Sequence, residues 1–183
     1  MKRPSGSAKA PTKVLFHPSS FTLHPFRIGI GNDIHRLAPG RKLILGGVRI
    51  PFEKGPVGHS DGDALAHAVC DALLGAAALG DIGSLFPDSS PEWHGISSLR
   101  FLRHARKLLK DVGYAIVNID ATIGLERPKL APHIPAMRKK LAAALGIKLD
   151  QISVKAKTGE GVDAVGEGRA LRADAAALIR PIV

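Results

Sequence analysis

The chain has one cysteine, few aromatic residues and no long apolar run. Because Cys70 is the only cysteine, the chain can form no internal disulfide and no zinc site built from several thiolates. A transition metal would therefore need histidine and carboxylate ligands. Aromatic residues make up 4% of the sequence, too few to suggest a base-stacking surface. The absence of about 18 consecutive apolar residues argues against a membrane-spanning helix.

Acidic residues are also missing from residues 1–26, which contain four lysines and arginines. This stretch is rich in proline, serine and threonine and lacks apolar periodicity, so we predict a disordered basic extension before a folded domain at 27–183. We expect a cytoplasmic location if the source is bacterial and a plastid location if the extension is a transit peptide. The net charge of +10 leaves a basic RNA-binding module as an alternative. Most of the other positive charge lies on helical patterns, where it forms solvated faces, so we expect neither a nucleic-acid nor a membrane partner.

Strand and helix patterns alternate along the folded part. The predicted elements are strands at 26–31, 114–126 and 151–157, a hairpin at 41–51 around Gly46 and Gly47, and helices at 63–79, at 97–113 with a cap at Ser97 or Ser98, and from Pro132 or Pro135 to Gly146. In 114–126, the residues from Val117 to Ile123 alternate, which predicts one apolar and one wet face. The segment 169–179 fits a helix or a strand. We predict an α+β fold, with a single mixed β-sheet and three main helices packed on one face.

Five ionisable residues suggest a metal site at the start of the first long helix. Asp33 and His35 are two positions apart in an extended segment, so their side chains share a face. Asp63, His67 and Asp71 are spaced four residues apart on the helix. Asp33, His35 and His67 would supply two nitrogens and one oxygen and leave a position open, as in catalytic zinc sites; Asp71 could orient one ligand. In the alternative interpretation, the histidine is a hydrogen-bonded core residue and the acids are helix caps.

Two further segments have residues suited to phosphate. Residues 85–91 form a serine-containing turn, and residues 155–161 place Lys157, Thr158 and Glu160 beside two glycines at a strand end. Lysine, threonine and a carboxylate together suit a phosphate with a divalent ion, although each segment alone also fits an ordinary loop. The sequence contains neither a phosphate-binding P-loop motif nor a dinucleotide-binding glycine pattern.

Taken together, four segments resemble the 2-C-methyl-D-erythritol 2,4-cyclodiphosphate synthase family. They are DIH (33–35), GHSDGDALAHAVCDALLGAAALGDIGSLFPDS (58–89), ERPKLAPHIPAM (126–137) and KAKTGE (155–160). The resemblance implies a lyase that converts 4-diphosphocytidyl-2-C-methyl-D-erythritol 2-phosphate to the cyclic diphosphate with release of CMP, in the non-mevalonate isoprenoid pathway. It also implies a homotrimer whose sheets face the axis, with active sites between subunits, one zinc per site and a second ion, magnesium or manganese.

The same resemblance implies roles for individual residues. It makes Asp33, His35 and His67 the zinc ligands, Glu160 the magnesium ligand, and His59 and Thr158 the groups that stabilise the transition state. The substrate contacts it implies are Asp33, His35, His59, Ser60, Asp81, Ile82, Gly83, Phe86, Pro87, Asp88, Ser89, Ser90, Leu125, Pro128, Lys129, Leu130, Ala131, Lys157, Thr158, Gly159 and Glu160.

The sequence departs from the family pattern after residue 156. Lys157 and Gly159 stand where many bacterial members have threonine, and the loop 159–168 is two residues shorter and lacks a phenylalanine and an arginine. A phosphohydrolase that uses the same three metal ligands is a second alternative.

Overall fold

A five-stranded mixed sheet forms the centre of the fold. The structure is a computed structural model that describes residues 26–58, 60–87 and 95–182. The strands of this part of the chain are β1 (Arg27–Pro39), β2 (Leu43–Leu45), β3 (Val48–Ile50), β4 (Lys54–Pro56), β5 (Tyr114–Gly124), β6 (Ile152–Lys157) and β7 (Ala170–Pro181). The main sheet has the order β4-β1-β7-β5-β6, with β5 and β6 parallel and the other pairs antiparallel. The mixed sheet is confirmed, although the β2–β3 hairpin forms a separate sheet.

Three long helices cover one face of the main sheet, as predicted. The helices of the described chain are α1 (Ala64–Ala76), α2 (Ile82–Leu85), α3 (Leu99–Asp111), α4 (Ile134–Leu145) and α5 (Asp163–Gly166). α1 packs on β1 and β7, α3 on α1, and α4 on α3 and β6. Gly146 ends α4 in the left-handed conformation, with φ of 62°, which glycine adopts without a Cβ clash. No helix among the described residues is long and apolar enough to cross a membrane.

Glycine and alanine allow α1 to approach β1 very closely. A Cβ added to Gly29 would lie 2.1 Å from the carbonyl oxygen of Ala72, and one added to Gly31 would lie 2.2 Å from that of Ala68. Real Cβ atoms do not approach backbone atoms so closely, so both positions require glycine. This contact places the first turns of α1 directly over the part of β1 that carries Asp33 and His35.

The opposite face of the sheet is exposed and partly apolar. On β1, Ile28, Ile30 and Ile34 are 72%, 78% and 60% exposed. Side chains of this kind are unfavourable in water and mark interaction surfaces when they are grouped. The same face carries two ion pairs, Lys155 with Asp120 and Arg172 with Asp174. We call the three isoleucines the β1 patch.

Two local predictions differ from the structure, and one open alternative is decided by it. β1 continues to Pro39, so Asp33 and His35 lie within a strand and not after one, because the segment pairs with β7 along almost its whole length. The segment 169–179, which fitted a helix or a strand, forms a strand from residue 170 onward, in β7, a central strand with partners on both sides. A register shift in β5 between Ile116 and Asn118 moves Val117 out of the buried row that includes Ile119.

Candidate active site

β1 and α1 bring Asp33, His35 and His67 together. Asp33 and His35 point to the same face of β1, and His67 reaches them from the first turn of α1. The Oδ2 atom of Asp33 lies 2.8 Å from Nδ1 of His67 and 3.1 Å from Nε2 of His35. One oxygen and two nitrogens of these residues lie within 4.8 Å of one another. The group predicted from sequence therefore has the spacing of a metal site.

The histidine atoms of this group are suited to a metal ion. Nε2 of His35 is buried and makes no hydrogen bond, because its short distance to Asp33 lacks the alignment that a hydrogen bond requires. A buried nitrogen without a partner is unfavourable, and coordination to a cation would satisfy its lone pair. Within the described residues, this is the one group of three or more His, Cys, Asp or Glu with metal-binding geometry.

Electrostatics keep the carboxylate of Asp33 ready for a cation. Burial raises the pKa of Asp33, but the close imidazoles of His35 and His67, the second hydrogen-bonded to the carboxylate, outweigh burial and hold that pKa well below its usual range. Burial lowers the pKa of His67, but the neighbouring Asp33 more than compensates, so the net shift is upward. Asp33 is therefore ionised at neutral pH, whereas a proton on His67 competes with a metal ion.

Ser98 and Asp61, which lie behind His67, were not assigned to the site from sequence, whereas the neighbouring Ser60 was predicted as a substrate contact. Nε2 of His67 lies 2.8 Å from the hydroxyl of Ser98, which is fully buried, and 3.2 Å from that of Ser60. The Ser98 hydroxyl donates to Oδ1 of Asp61 at 2.5 Å, and its backbone N–H donates to Oδ2 at 3.1 Å. Ser98 was expected only as a helix cap, and it makes no side-chain cap bond to α3. No local pattern links residues 61, 67 and 98.

Asp63 is a structural residue and not a ligand. Its fully buried carboxylate accepts hydrogen bonds from the backbone N–H groups of Gly46, Gly47 and Ala66. It therefore caps α1 and holds the β2–β3 turn, as the helix-cap interpretation proposed. Burial and the charge of Asp61 raise the pKa of Asp63 to about 6, against the opposing effect of the three N–H groups.

Asp71 forms a hydrogen bond to the segment after α1 and not to one of the predicted metal ligands. Its Oδ1 accepts a hydrogen bond of 2.7 Å from the backbone N–H of Ile82, whereas the sequence interpretation directed it to a metal ligand. Burial raises the pKa of Asp71, with the charges of Asp81 and Asp33 adding to that effect. Asp71 binds Ile82 because α1 ends only a few residues before Ile82. The N–H of Ile82, at the start of α2, has no partner within its own helix and lies within reach of Asp71.

The segment after α1 forms a short helix beside the metal group. Asp81 caps α2 through Ser84, and Ile82 and Gly83 begin that helix. Phe86 is buried against Phe101, with ring centroids 4.6 Å apart, whereas Pro87 is exposed. The other predicted contacts in this region, His59, Asp88, Ser89 and Ser90, lie outside the described residues.

A second cluster of predicted residues lies at the ends of β5 and β6. These strands are parallel, so the segments that follow them leave the sheet side by side. The N–H of Leu125 donates to the carbonyl of Lys157, and the N–H of Gly159 donates to the Glu126 carboxylate. The Thr158 hydroxyl donates to Glu160. The further predicted contacts at this end are Pro128, Lys129, Leu130 and Ala131, of which Leu130 is buried and Lys129 and Ala131 are exposed.

The two clusters are separated across the sheet of one chain. Ile34, Arg172, Gly124 and Lys157 are register partners in a row from β1 to β6. The three strand spacings of that row correspond to about 14 Å. No hydrogen bond or ion pair between described residues joins Asp33, His35 or His67 to 157–160.

The shortened loop explains one departure from the family pattern. A Cβ on Gly159 would lie 2.4 Å from the backbone nitrogen of Gly166, so threonine cannot occupy this position while α5 packs against it. Glu160 and Asp163 have positive φ angles of 52° and 61°, which non-glycine residues adopt at a cost. Lys157 is exposed, and nothing in the structure explains its replacement of threonine.

Comparison with known proteins assigns the chain to a family. Residues 26–180 match the YgbB family. The chain belongs to the YgbB family. It is 57% identical over 156 residues to the 2-C-methyl-D-erythritol 2,4-cyclodiphosphate synthase of Chloroherpeton thalassium, a match that covers 85% of this chain and 99% of the relative.

Solved YgbB-like structures have the same fold. A 2C-methyl-D-erythritol-2,4-cyclodiphosphate synthase solved in a CDP-bound form is 44% identical, with a TM-score of 0.78 over 84% of this chain and 99% of that chain. The Plasmodium falciparum protein solved as a CDP complex is 36% identical, with a TM-score of 0.77 over 87% of this chain and 98% of that chain. The α+β arrangement of this YgbB member is therefore shared with proteins solved with a cytidine nucleotide.

Proposed function

We propose that this YgbB member is a 2-C-methyl-D-erythritol 2,4-cyclodiphosphate synthase of the non-mevalonate isoprenoid pathway. Its substrate is 4-diphosphocytidyl-2-C-methyl-D-erythritol 2-phosphate, and its products are the cyclic diphosphate and CMP. The observation that supports this most strongly is the convergence of Asp33, His35 and His67 in a chain 57% identical to a curated synthase along almost all of that relative.

The donor set favours zinc at Asp33, His35 and His67. Two imidazole nitrogens and one carboxylate oxygen are common catalytic zinc ligands, and three protein ligands leave a position for substrate. A carboxylate such as that of Glu160, exposed next to Thr158, suits magnesium or manganese together with phosphate oxygens. When bound, such cations polarise phosphoryl oxygens and reduce the repulsion between phosphates.

The residues of this chain would mainly fold and orient the substrate. An oxygen of the 2-phosphate forms a bond to the β-phosphorus, and the bond from that phosphorus to the bridging oxygen breaks, so the electron pair leaves with CMP. The attacking oxygen is already anionic and belongs to the same molecule, so no general base is needed and positioning contributes most. His59 and the Thr158 hydroxyl would stabilise the equatorial oxygens, and the exposed Lys157 and Lys129 would supply positive charge near the nucleotide.

The assembly proposed for this chain is a homotrimer with active sites between subunits. Two features support it: the separation of the metal group from residues 157–160 across the sheet, and the exposed β1 patch on the face that the helices leave open. Packing the open faces around an axis would bury that patch. It would also let the 157–160 segment of one subunit complete the metal site of another.

A phosphorus NMR assay tests the proposed reaction. The protein is incubated with the cytidyl substrate, zinc and magnesium, and we expect CMP and a cyclic diphosphate without free inorganic phosphate. His67→Ala should abolish turnover and metal binding, whereas His104→Ala, which replaces an exposed histidine of α3, should retain both. Release of inorganic phosphate would favour the phosphohydrolase alternative, which the metal group by itself also fits, and full activity of His67→Ala would contradict the metal assignment.

A further inference from the structure

We propose that Ser98 and Asp61 are positioning residues that hold the ring of His67 with Nδ1 free for the metal ion. The proposal rests on the metal site of the proposed function. It concerns a row of three side chains from different parts of the chain: His67 in α1, Ser98 directly before α3, and Asp61 in the segment that leads into α1.

The donor directions in this row follow from the two bonds between Ser98 and Asp61. Asp61 accepts the Ser98 backbone N–H at Oδ2 and lies 2.5 Å from the Ser98 hydroxyl at Oδ1. A carboxylate has no proton to give, so the hydroxyl hydrogen points to Asp61. The Ser98 oxygen can then only accept from Nε2 of His67, 2.8 Å away. His67 therefore carries a hydrogen on Nε2, so Nδ1 is the nitrogen that can bind a metal ion. While no ion is bound, Nδ1 can hold a second hydrogen that it donates to Asp33 at 2.8 Å.

The Nδ1 atom of His67 points to the place where the other two ligand atoms meet. Nδ1 of His67 lies 2.8 Å from Oδ2 of Asp33, the oxygen that also lies 3.1 Å from Nε2 of His35. The other tautomer has its lone pair on Nε2, which faces Ser98 and not Asp33 and His35. The row from Asp61 to His67 thus selects the tautomer that a metal ion at this position requires.

Burial and capping geometry indicate that Ser98 serves His67 and not its own helix. A serine at the N-cap of a helix normally accepts a hydrogen bond from an N–H of the first turn. Ser98 is the N-cap residue of α3, is fully buried, and makes no such bond. Its hydroxyl lies instead between His67 and Asp61, with Ser60 3.3 Å away. Hydrogen-bond partners of metal-bound histidines typically change metal affinity by about 10- to 100-fold.

The test uses two variants that disturb the row in different ways. Ser98→Ala removes the acceptor from Nε2. Asp61→Asn keeps the shape but offers one acceptor and one donor. Two backbone N–H groups face Asp61, that of Ser98 at 3.1 Å from Oδ2 and that of Asp63 at 3.3 Å from Oδ1; the shorter bond directs the amide oxygen to Ser98 and the NH₂ group to the hydroxyl. The hydroxyl hydrogen then turns to Nε2 of His67, which favours a hydrogen on Nδ1. Ser97→Ala, which changes the exposed neighbouring serine, is the matched control.

Metal affinity of the protein without substrate is the main measurement. Zinc dissociation constants come from competition with a chromogenic chelator, and the cobalt form gives a ligand-field spectrum. We expect Ser98→Ala and Asp61→Asn to weaken zinc binding by about 10- to 100-fold and to change the cobalt spectrum, with the metal-free melting temperature of Asp61→Asn close to that of the wild type. Ser97→Ala should match the wild type in all three measurements.

Nitrogen NMR of the His67 ring gives a readout that a merely structural role would not change. In the metal-free wild type we expect a hydrogen on Nε2, held by the Ser98 oxygen, whereas in Asp61→Asn Nε2 accepts from Ser98 and only Nδ1 carries a hydrogen. Wild-type zinc affinity in both variants, combined with its loss in His67→Ala, would overturn the positioning role and leave the proposed function intact. Wild-type affinity in His67→Ala would overturn the metal site and, with it, this proposal.

Discussion

At the residue scale, Asp33 organises the candidate site. Its Oδ2 atom faces both imidazoles, at 2.8 Å from His67 and 3.1 Å from His35. This arrangement has opposite effects on the pKa values of its members, since that of Asp33 is lowered and that of His67 is raised. Two nearby acidic residues, Asp63 and Asp71, have structural roles, because their carboxylates accept hydrogen bonds from backbone N–H groups. Similar residue types on one helix therefore differ in role because their surroundings differ.

We predict that zinc affinity increases as the pH rises above the usual histidine pKa. The upward shift of the pKa of His67 means that its proton stays bound to a higher pH, and this proton competes with the metal for Nδ1. The carboxylate of Asp33 does not limit binding, because its pKa is lowered. Below the pKa of His67, affinity should fall by about tenfold for each pH unit, the slope for one displaced proton.

Chelator competition over a series of pH values measures this slope. In Asp33→Asn, the carboxylate that raises the His67 pKa is absent, so affinity should be lower overall and its dependence on pH should begin at a lower pH. A zinc affinity that stays constant from pH values below to values above the histidine pKa would contradict the prediction.

At the element scale, the contact between α1 and β1 determines where His67 lies. The Cβ-free backbone of Gly29 and Gly31 lets the helix rest directly on the strand. On β7, the buried alanines Ala173, Ala175 and Ala177 extend the same flat surface. Small side chains thus position the helix that carries His67, because larger ones would move its first turn away from Asp33.

We predict that Gly31→Ala destabilises the protein by about 1 to 3 kcal/mol. The new Cβ would meet the carbonyl oxygen of Ala68 at 2.2 Å and the nitrogen of Ala72 at 2.6 Å, and backbone atoms cannot move aside without shifting α1. Zinc affinity should fall as well, since the shift would displace His67. Urea unfolding of the metal-free protein measures the stability.

Gly75→Ala is the matched control for this substitution. Gly75 is exposed in α1, and the nearest atom to an added Cβ is the carbonyl oxygen of Ile30 at 3.9 Å. Alanine in an open helical position should stabilise the protein by about 0.5 to 1 kcal/mol. Equal stabilities for the two variants would show that the close approach of α1 and β1 is not as tight as the geometry indicates.

At the scale of the whole molecule, the two faces of the sheet have different environments. One face is covered by α1, α3 and α4, and the other carries the exposed β1 patch beside the ion pairs of Lys155 and Arg172. Apolar side chains on the open face, with charged groups around them, are typical of an interface between subunits.

We predict that Ile30→Lys dissociates the proposed trimer. A lysine at this 78%-exposed position would place three like charges near the axis, where burial makes them unfavourable. Light scattering after size-exclusion chromatography should show a smaller species with little turnover and with metal bound at Asp33, His35 and His67. Leu149→Lys, at a 49%-exposed leucine outside the main sheet, should remain trimeric. A trimeric, active Ile30→Lys protein would contradict the assembly proposed here.

We also predict that residues 1–25 are dispensable for folding and catalysis. The strands and helices of the described residues begin at Arg27, and Phe26, the first described residue, is 59% exposed. Deleting 1–25 should leave the melting temperature, the oligomeric state and turnover close to those of the full chain. A loss of trimer or of activity after the deletion would show that the extension is part of the folded assembly.

The sequence by itself determined the long helices, most strands and the residues of the candidate metal group. Apolar periodicity marks α1, α3 and β6 because each buries one face, and Gly146 marks the end of α4 because glycine accepts a positive φ. The spacing of Asp33 and His35 by two residues fixes a shared face in any extended strand. These signals are local, so they can be recognised in the sequence without knowledge of the tertiary structure.

Only the tertiary structure decided the remaining features. β7 has an ambiguous pattern because alanine suits both a helix and a strand, and its pairing with β1 and β5 made it a strand. The same holds for Ser98, which lies 31 residues from His67 and 37 from Asp61. Contacts between such distant residues leave no periodic trace in the sequence. They arise when α1 settles on Gly29 and Gly31 and brings His67 between Asp33 and Ser98.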